Sequence, residues 1–269
     1  RLSSIRRHSS LSPPGFLKLL GNPVEAMGSR PEKFDRILQM APPNRLIQEQ
    51  HSWNPDDRSP NIIVKDQDKL TLYRHPVPNC TDCIRGKMGY SRGFHVWQIE
   101  WPERQRGTHA VVGVATKNAP LQAAEYTTLV GSNNESYGWN IATRECHYGS
   151  WKWKYPYGNG RDGFNVPEKI YCILDMEQGN LSFATDNEYL GVVFQNLRGK
   201  RLYPAVATLY GDCEITMTHL GSLEPVEMLP LFELCRRRFR SIMGPDPDKR
   251  IKPLMIPPVM KEYLLYEIE

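Results

Sequence analysis

The chain lacks any uninterrupted apolar run of about 18 residues, the length that a membrane-spanning helix needs. Its N-terminal stretch also lacks the apolar core of a secretory signal. These absences favour an intracellular protein without membrane association, located in the cytoplasm or in both cytoplasm and nucleus. In that setting the six scattered cysteines are expected to remain reduced thiols.

Motifs of enzymes and metal sites are also scarce. The sequence has no HExxH and no phosphate-binding glycine-rich loop followed by lysine. Residues 89–93 match G-x-S-x-G, but a strand pattern follows where that motif needs a helix. Cys80 and Cys83 have the spacing of half a zinc site, and a second pair of ligands at matched spacing is missing. The sequence therefore predicts a protein that is not an enzyme, with no metal and no cofactor.

Charge is low, at a net +4 over 269 residues. Residues 151–155 interleave aromatic side chains with lysines, a pattern that could stack single-stranded bases and neutralise phosphates. The alternative is a strand whose residues alternate between core and solvent. The weak net charge favours the strand and argues against direct nucleic-acid binding.

The middle of the chain has the pattern of strands, from about residue 51 to residue 221. Residues 94–101 alternate between two faces, residues 110–115 form an apolar run, and residues 170–184 read as a hairpin. This pattern predicts an antiparallel sandwich or barrel. Residues 16–20 and 34–40 have helical spacing instead and are expected to pack on its flank.

The C-terminal region returns to helical spacing. Leu231, Cys235, Phe239 and Ile242 fall on one face of a helix of about three turns, with the arginines mostly opposite. A second short helix is expected to end at residues 261–264. Two helices of this size are too little to fold alone, so the apolar face needs a partner. A reactive Cys235 thiol is the alternative to a small hydrophobe that fills a partner's pocket.

These two regions resemble known modules. The middle resembles a SPRY (B30.2-type) domain at residues 93–100, 112–115, 136–140, 174–183 and 202–206. The spacing of Leu231, Cys235 and Phe239 resembles the Elongin C-binding box of a SOCS box. Residues 254–264 resemble its cullin box, with Met255 where the family pattern usually has proline. The whole chain resembles the SPRY domain-containing SOCS box family.

The resemblance implies a mainly β fold: a SPRY/B30.2 antiparallel β-sandwich with short N-terminal helices and a small C-terminal α-helical SOCS box. It divides the chain into an N-terminal arm with short helices, 1–50, a SPRY domain, 51–221, and a SOCS box, 222–269. Within the SOCS box, the Elongin C-binding box is expected at 230–243 and the cullin box at 251–266.

The resemblance also implies a substrate-recognition subunit of a RING ubiquitin ligase, with Elongin B, Elongin C and a cullin-5-type scaffold as partners. Its SPRY loops would bind targets through a short Asp/Glu-Ile/Leu-Asn-Asn-Asn-like motif, and family targets include the Vasa RNA helicase. The family's peptide-binding positions fall on Arg74, Pro76, Thr108, Tyr126, Leu129, Gly131, Ser132, Leu209, Tyr210 and Gly211. Elongin C contacts are expected from Pro230, Leu231, Leu234, Cys235 and Phe239. Cullin contacts are expected from Leu254, Ile256, Pro257, Tyr263 and Leu264.

The residue types suit such a ligand. Arg74 is expected to meet carboxylate or amide oxygens, Tyr126 and Tyr210 to give flat contacts with a polar tip, and Gly131 and Gly211 to let backbone groups approach. Two other functions stay open. The chain could be an adaptor that localises or shields its ligand without ubiquitination, or an RNA-associated protein that uses residues 151–157.

Overall fold

A computed structural model describes residues 29–157, 163–224, 231–243 and 247–265 of the chain. Some predicted features fall outside these described residues: the helix at 16–20, Pro230, and the side chains of Leu231, Leu234 and Tyr263. The chain divides into two compact units, residues 1–225 and 226–269.

Two short helices precede the first strand. Helix α1 (Glu32–Gln39) buries Phe34 and Ile37 in an apolar cluster on the outer face of a β-sheet. Helix α2 (Arg45–Gln50) follows directly. The expectation that residues 34–40 form a helix packed on the flank of the sandwich is therefore confirmed.

The first sheet contains eight antiparallel strands. Seven lie in the spatial order β1 (Trp53–Arg58), β4 (Cys80–Gly86), β14 (Tyr203–Thr208), β6 (Ala110–Ala115), β8 (Ser136–Asn140), β9 (Glu145–Tyr148) and β10 (Trp151–Lys154). The eighth, β7 (Gln122–Ala124), also pairs with β4.

The second sheet contains seven antiparallel strands. Their order is β13 (Tyr189–Phe194), β12 (Asn180–Ala184), β11 (Lys169–Asp175), β5 (Phe94–Glu100), β15 (Cys213–Leu223), β3 (Thr71–Arg74) and β2 (Ile62–Val64). A single 3-10 turn at Glu103–Gln105 follows β5.

An apolar core lies between the two sheets. Trp97 of the second sheet and Trp139 of the first are among its largest buried side chains. Because successive residues of a strand face opposite sides, Trp97 faces this core while its neighbour Val96 packs with Phe34 on the outer face. The fold is thus the predicted antiparallel β-sandwich.

The predicted hairpin is present. Strands β11 and β12 pair with Leu174 opposite Leu181. Their turn contains Gly179 at φ +74°, where a Cβ would lie 2.9 Å from the side chain of Arg198. Glycine fits this left-handed conformation without the steric cost that other residues carry.

Strand β15 ends the sandwich. Its register against β5 shifts between His219 and Gly221, and the pairing then continues to Leu223 opposite Phe94. Residue 221, the predicted end of the SPRY domain, lies inside this strand.

The C-terminal unit contains three described helices, α3 (Leu231–Ile242), α4 (Pro247–Ile251) and α5 (Pro258–Leu265). The first has the predicted length and the last agrees with the second expected helix, whereas α4 was not predicted. Arg240 of α3 donates a hydrogen bond from Nη1 to the carbonyl of Leu264 at 2.6 Å, which ties α3 to α5. None of the described helices of either unit is long and apolar enough to cross a membrane.

Candidate functional site

The loops at one end of the sandwich pack directly on one another. Pro76 lies in the loop after β3, and Gly211 lies in the loop between β14 and β15. A Cβ on Gly211 would come within 2.6 Å of the Cα and Cβ of Pro76, so the approach requires glycine. Leu209, in the same loop as Gly211, is half-buried. The structure thus brings together three predicted peptide-binding positions.

Tyr210 connects these loops to a third one. Its ring packs beside Gly107, where a Cβ would lie 3.0 Å from Cδ2 of the ring. The next residue, Thr108, is exposed; its hydroxyl lies 2.9 Å from Nδ1 of His109, and its carbonyl accepts a hydrogen bond from Asn140 Nδ2 at 3.0 Å. Because Tyr210 is 41% exposed, its ring stays available to a ligand.

Tyr126 is attached to the same loop as Pro76. The N–H of Glu125 donates to the carbonyl of Asn79 at 2.9 Å, and the carbonyl of Glu125 accepts a hydrogen bond from the Thr81 hydroxyl at 3.2 Å. Tyr126 itself is 61% exposed. A second exposed aromatic ring is therefore anchored to this end of the sandwich.

The segment that carries Tyr126 then continues over the outer face of the first sheet. Leu129 is buried there in an apolar cluster. Gly131 has φ +93° and lies on His147, whose carbonyl oxygen would be 2.4 Å from an added Cβ. Ser132 is exposed and donates its hydroxyl to the Leu129 carbonyl at 2.7 Å. Leu129 and Gly131 shape this segment, and Ser132 exposes its side chain to a ligand.

The Arg74 side chain is bonded to other parts of the protein. Its guanidinium is buried, and Nε donates to Asp82 Oδ2 at 2.8 Å. Nη2 donates to the carbonyls of Val77 at 2.9 Å and Cys80 at 3.1 Å. These partners hold Nε and Nη2 of Arg74 inside the protein. The expected contact of Arg74 with carboxylate or amide oxygens of a ligand stays a prediction.

Burial and hydrogen bonding shift several pKa values near these loops. Burial lowers the pKa of His147, with Lys152 and His109 acting in the same direction and Glu145 opposing them. Burial also lowers the pKa of His109. Both imidazoles therefore lie next to the site in their neutral form at pH 7.

The motifs with enzyme-like or metal-like spacing are parts of the scaffold. Cys80 and Cys83 lie in β4, and burial raises the pKa of Cys83 to about 12, so this thiol stays protonated. Within the described ranges, no group of three or more His, Cys, Asp or Glu side chains could hold a metal ion. Residues 89–93 form the loop before β5, where Tyr90 makes an isolated bridge to Leu202.

The aromatic and basic strip forms β10, at the edge of the first sheet. Trp153 packs edge-on against the ring of Phe194, at 5.4 Å between centroids. Trp151 and Lys152 are exposed, and Lys154 pairs with Glu145 at 3.3 Å. This placement agrees with the strand alternative, because one of the two tryptophans packs on the core.

The C-terminal helices have an unusual distribution of apolar and charged residues. Cys235 is exposed and Ile242 is 65% exposed, whereas Arg236 is only 5% exposed. Phe239 is half-buried. Among the predicted cullin contacts, Pro257 is exposed, Leu254 and Ile256 are half-buried, and Leu264 is buried. The described part of the predicted Elongin C face is thus largely open.

Sequence reasoning missed one residue that organises the loops. Asp82 is buried in β4 and accepts hydrogen bonds from several segments, including one from Gln122 Nε2 at 3.1 Å. A signal was present, because Asp82 is the one acidic residue of strand β4. It was read as the spacer of a cysteine pair instead.

Comparisons with known proteins agree with both halves of the chain. The SPRY domain family model matches residues 94–220, and the SOCS box family model matches residues 227–265. The chain is 46% identical over 271 residues to protein gustavus of Drosophila melanogaster, covering 99% of this chain and 96% of that protein. It is 48% identical over 242 residues to SPRY domain-containing SOCS box protein 1 of Homo sapiens, covering 88% of each. SPRY domain-containing SOCS box protein 2 of Mus musculus is 43% identical over 242 residues, covering 89% of this chain and 91% of that protein.

Identity at this level extends over both units. Strands β5 to β14 and most of β15 lie inside the SPRY match, strands β1 to β4 precede it, and helices α3 to α5 lie inside the SOCS box match. The chain belongs to the SPRY domain-containing SOCS box protein family.

Proposed function

We propose that this chain is the substrate-recognition subunit of an Elongin B/C, cullin-5-type RING ubiquitin ligase in the cytoplasm. The presence of a SPRY domain and a SOCS box in one chain supports a SOCS-box-type substrate receptor. Such a receptor needs no catalytic residues of its own. It raises the effective concentration of target lysines near the charged ubiquitin carrier, and this proximity accelerates the transfer.

The proposed ligand of the SPRY loops is a short extended motif, an acidic residue followed by Ile or Leu and asparagines. The observation that carries this proposal is the convergence of loops that expose Tyr126 and Tyr210 on a rigid sandwich. Aromatic rings with a polar tip are typical anchors of binding surfaces, since they bury large areas and still form hydrogen bonds. Pro76, Thr108 and Ser132 add exposed groups around them.

The proposed partner of the C-terminal unit is Elongin C, which brings Elongin B and, through the last helix, a cullin. The exposed Cys235 and Ile242 support this assignment, because apolar side chains of a short helix are stable in contact with a partner's pocket. Pro257 is available to a cullin in the same way.

Two measurements test the proposal. Size-exclusion chromatography of the chain with Elongin B and Elongin C should give a stoichiometric complex. Calorimetric titration with a synthetic peptide containing Asp-Ile-Asn-Asn-Asn should give saturable binding, and a peptide with alanines in place of the asparagines should bind far more weakly. No complex with the Elongins would remove the ligase assignment, and equal affinity for both peptides would remove the ligand class.

Reconstituted ubiquitination separates the ligase receptor from an adaptor that only localises or shields its ligand. Lysines of a fusion that carries the motif should be modified when the Elongins, cullin and RING protein are all present. A bound fusion that remains unmodified would favour the adaptor.

A further inference from the structure

We propose that the buried ion pair of Arg74 and Asp82 is a positioning device that sets the geometry of the peptide-binding loops. This inference rests on the proposed function of those loops. Neither residue contacts a ligand in this scheme; they act by holding the residues that do.

Asp82 is the acceptor at the centre of this device. Oδ1 accepts hydrogen bonds from Ser59 Oγ at 2.5 Å, Asn61 Nδ2 at 3.0 Å and Gln122 Nε2 at 3.1 Å. Oδ2 accepts one from Arg74 Nε at 2.8 Å. Asp82 and Arg74 are both fully buried, so water does not compete for the bond between them. The bonds from Asn61 and Gln122 are partly buried.

The donors come from separate segments of the chain. Ser59 and Asn61 lie between β1 and β2, Arg74 ends β3, and Gln122 starts β7. A single carboxylate therefore fixes the relative positions of segments that are distant in sequence. Several hydrogen bonds to one carboxylate define its surroundings, because displacing a donor leaves a buried oxygen of Asp82 with fewer partners.

The ion pair is connected to Pro76 through the hydrogen bonds of Arg74. Arg74 Nη2 holds the carbonyls of Val77 and Cys80, which bracket the loop after β3. The N–H of His75, at the start of that loop, donates to the carbonyl of Asn61 at 2.9 Å. Pro76 is thus held on both sides, and Gly211 rests on it.

The ion pair is also connected to Tyr126, through Gln122 and strand β7. Gln122 begins β7, which pairs with residues 80–82 of β4 and ends one residue before Glu125. Glu125 is bonded to Asn79 of the loop that Arg74 holds. Tyr126 is the next residue. Its position therefore depends on Asp82, through Gln122, and on Arg74, through the loop that contains Asn79.

The physical reason for such a device is preorganisation. A buried ion pair adds little net stability compared with apolar residues of similar volume, and a role in geometry accounts for its presence at this end. Binding is weakened when loops must be ordered in the complex, and loops held before binding avoid that cost.

A second buried ion pair in the same domain provides a matched control. Arg85 donates from Nε to Asp57 Oδ2 at 2.9 Å and from Nη2 to Oδ1 at 2.7 Å. Its other bonds hold the turn at residues 116–119 through the carbonyls of Thr116, Lys117 and Ala119. None of these residues is a predicted peptide-binding position. The two pairs share their Arg–Asp chemistry and differ in the loops they hold. Asp57 also accepts a hydrogen bond from Lys117 and keeps 12% of its side chain exposed, against 0% for Asp82.

The experiment compares Asp82→Asn and Gln122→Leu with Asp57→Asn in the full chain. Peptide affinity is measured by calorimetry with the Asp-Ile-Asn-Asn-Asn peptide, and folding by urea denaturation. Asp82→Asn should weaken the affinity at least tenfold and Gln122→Leu at least threefold. Asp57→Asn should lower stability about as much as Asp82→Asn and change the affinity less than twofold. Equal losses of affinity in Asp57→Asn and Asp82→Asn would overturn the proposal, since they would indicate a general loss of stability.

Hydrogen exchange gives a readout that does not depend on the peptide. Amides of residues 75–80 and 123–127 should exchange faster in Asp82→Asn than in the unmodified chain, and Asp57→Asn should leave them unchanged. If the unmodified chain does not bind the peptide, the proposed ligand fails while this exchange pattern still decides whether the ion pair positions the loops. If Asp82→Asn does not fold, Gln122→Leu decides both readouts, and unchanged affinity and exchange in that variant would overturn the proposal.

Discussion

The sandwich and the C-terminal helices differ in the types of residue that they bury and expose. The sandwich encloses its tryptophans Trp97 and Trp139 and exposes aromatic rings at Tyr126 and Tyr210, which its own loops hold in place. In the described part of α3, an arginine is buried while Cys235 and Ile242 are exposed. The sandwich therefore has an enclosed core, and its proposed binding loops are held before a ligand arrives. In the helical unit, the exposed core-type residues are the surface that we propose for a partner.

The largest expected effect is the loss of the Elongin complex when charge is placed on the exposed apolar face. Leu231→Asp combined with Cys235→Asp should abolish co-elution with Elongin B and Elongin C, because unpaired carboxylates would have to enter an apolar pocket. Peptide affinity should stay unchanged, since the sandwich loops do not need α3. Arg238→Asp, at an exposed position of the same helix, is the control and should retain the complex. Loss of both activities in the double variant would mean that the two regions are not independent.

The second prediction concerns a substitution in the core of the sandwich instead of on the helical unit. Trp139 is fully buried against Tyr155 and Phe183, with ring centroids at 5.2 and 4.8 Å. Trp139→Ala should lower the free energy of unfolding of the sandwich by about 3–5 kcal/mol through the lost contacts and the cavity that remains. Urea denaturation of the variant and of the unmodified chain measures this loss.

This core variant also tests whether the helical unit works without a stable sandwich. Below the denaturation midpoint of Trp139→Ala, the Elongin complex should form as in the unmodified chain. A complex that disappears together with the sandwich's tertiary structure would contradict the contrast between a self-contained core and one that a partner completes.

A smaller effect is expected from removing one of the preformed contacts of the sandwich. Tyr126→Ala should weaken peptide binding by at least ~2 kcal/mol, as for a central aromatic anchor of an interface. That corresponds to about thirtyfold in affinity, measurable by calorimetry. Trp151→Ala removes an exposed ring from outside the loops and should leave the affinity unchanged. Equal affinities of the Tyr126→Ala variant and the unmodified chain would mean that this exposed ring is no anchor.

The contrast between the two regions also explains what the sequence could predict. Strand alternation at residues 94–101 and the hairpin at 170–184 were readable because both are local patterns, with periods set by the backbone. The apolar face of α3 was readable for the same reason, since it needs only a spacing of three and four residues.

What the sequence did not reveal depends on how strands and loops of different sheets pack together. Arg74 and Asp82 meet because β3 and β4, in different sheets, come together at one end of the sandwich, and residue types alone cannot specify that meeting. The bond of Arg74 to Asp82 was therefore not predicted. The contact between Gly211 and Pro76 is of the same kind, because it joins residues that are 135 positions apart in the chain.

The smallest expected effect uses the end of the sandwich where β5 begins. There, Tyr90 stacks on His95 at 3.8 Å between centroids, His51 stacks on His219 at 4.0 Å, and Nδ1 of His51 lies 2.7 Å from the Tyr90 hydroxyl. Burial lowers the pKa of His219 to about 3, and the neighbouring imidazoles of His51 and His95 act in the same direction. Burial also lowers the pKa of His51 and of His95. The cluster is thus neutral in the folded state at pH 7.

The sign of the pH effect follows from these lowered pKa values. Between about pH 6.5, the usual histidine pKa, and pH 3 the unfolded chain binds protons that the folded cluster excludes. Stability is therefore fully present above pH 6.5 and is lost as the pH falls through that window. For His219 alone, the loss at pH 5.5 relative to pH 8 is about 1.4 kcal/mol.

Urea denaturation of the isolated sandwich at the two pH values measures this loss, and His219→Gln should reduce it by about the contribution of one histidine. The pH dependence is compared, so the cost of the substitution itself cancels. His75→Gln, at an exposed position, is the control and should retain the full loss. Residues 226–269 contain no histidine. Lowering the pH from 8 to 5.5 should therefore protonate histidines of the sandwich and leave the charge of the helical unit nearly unchanged. An equal pH dependence in His219→Gln and in the unmodified sandwich would assign the acid sensitivity to groups outside this stack.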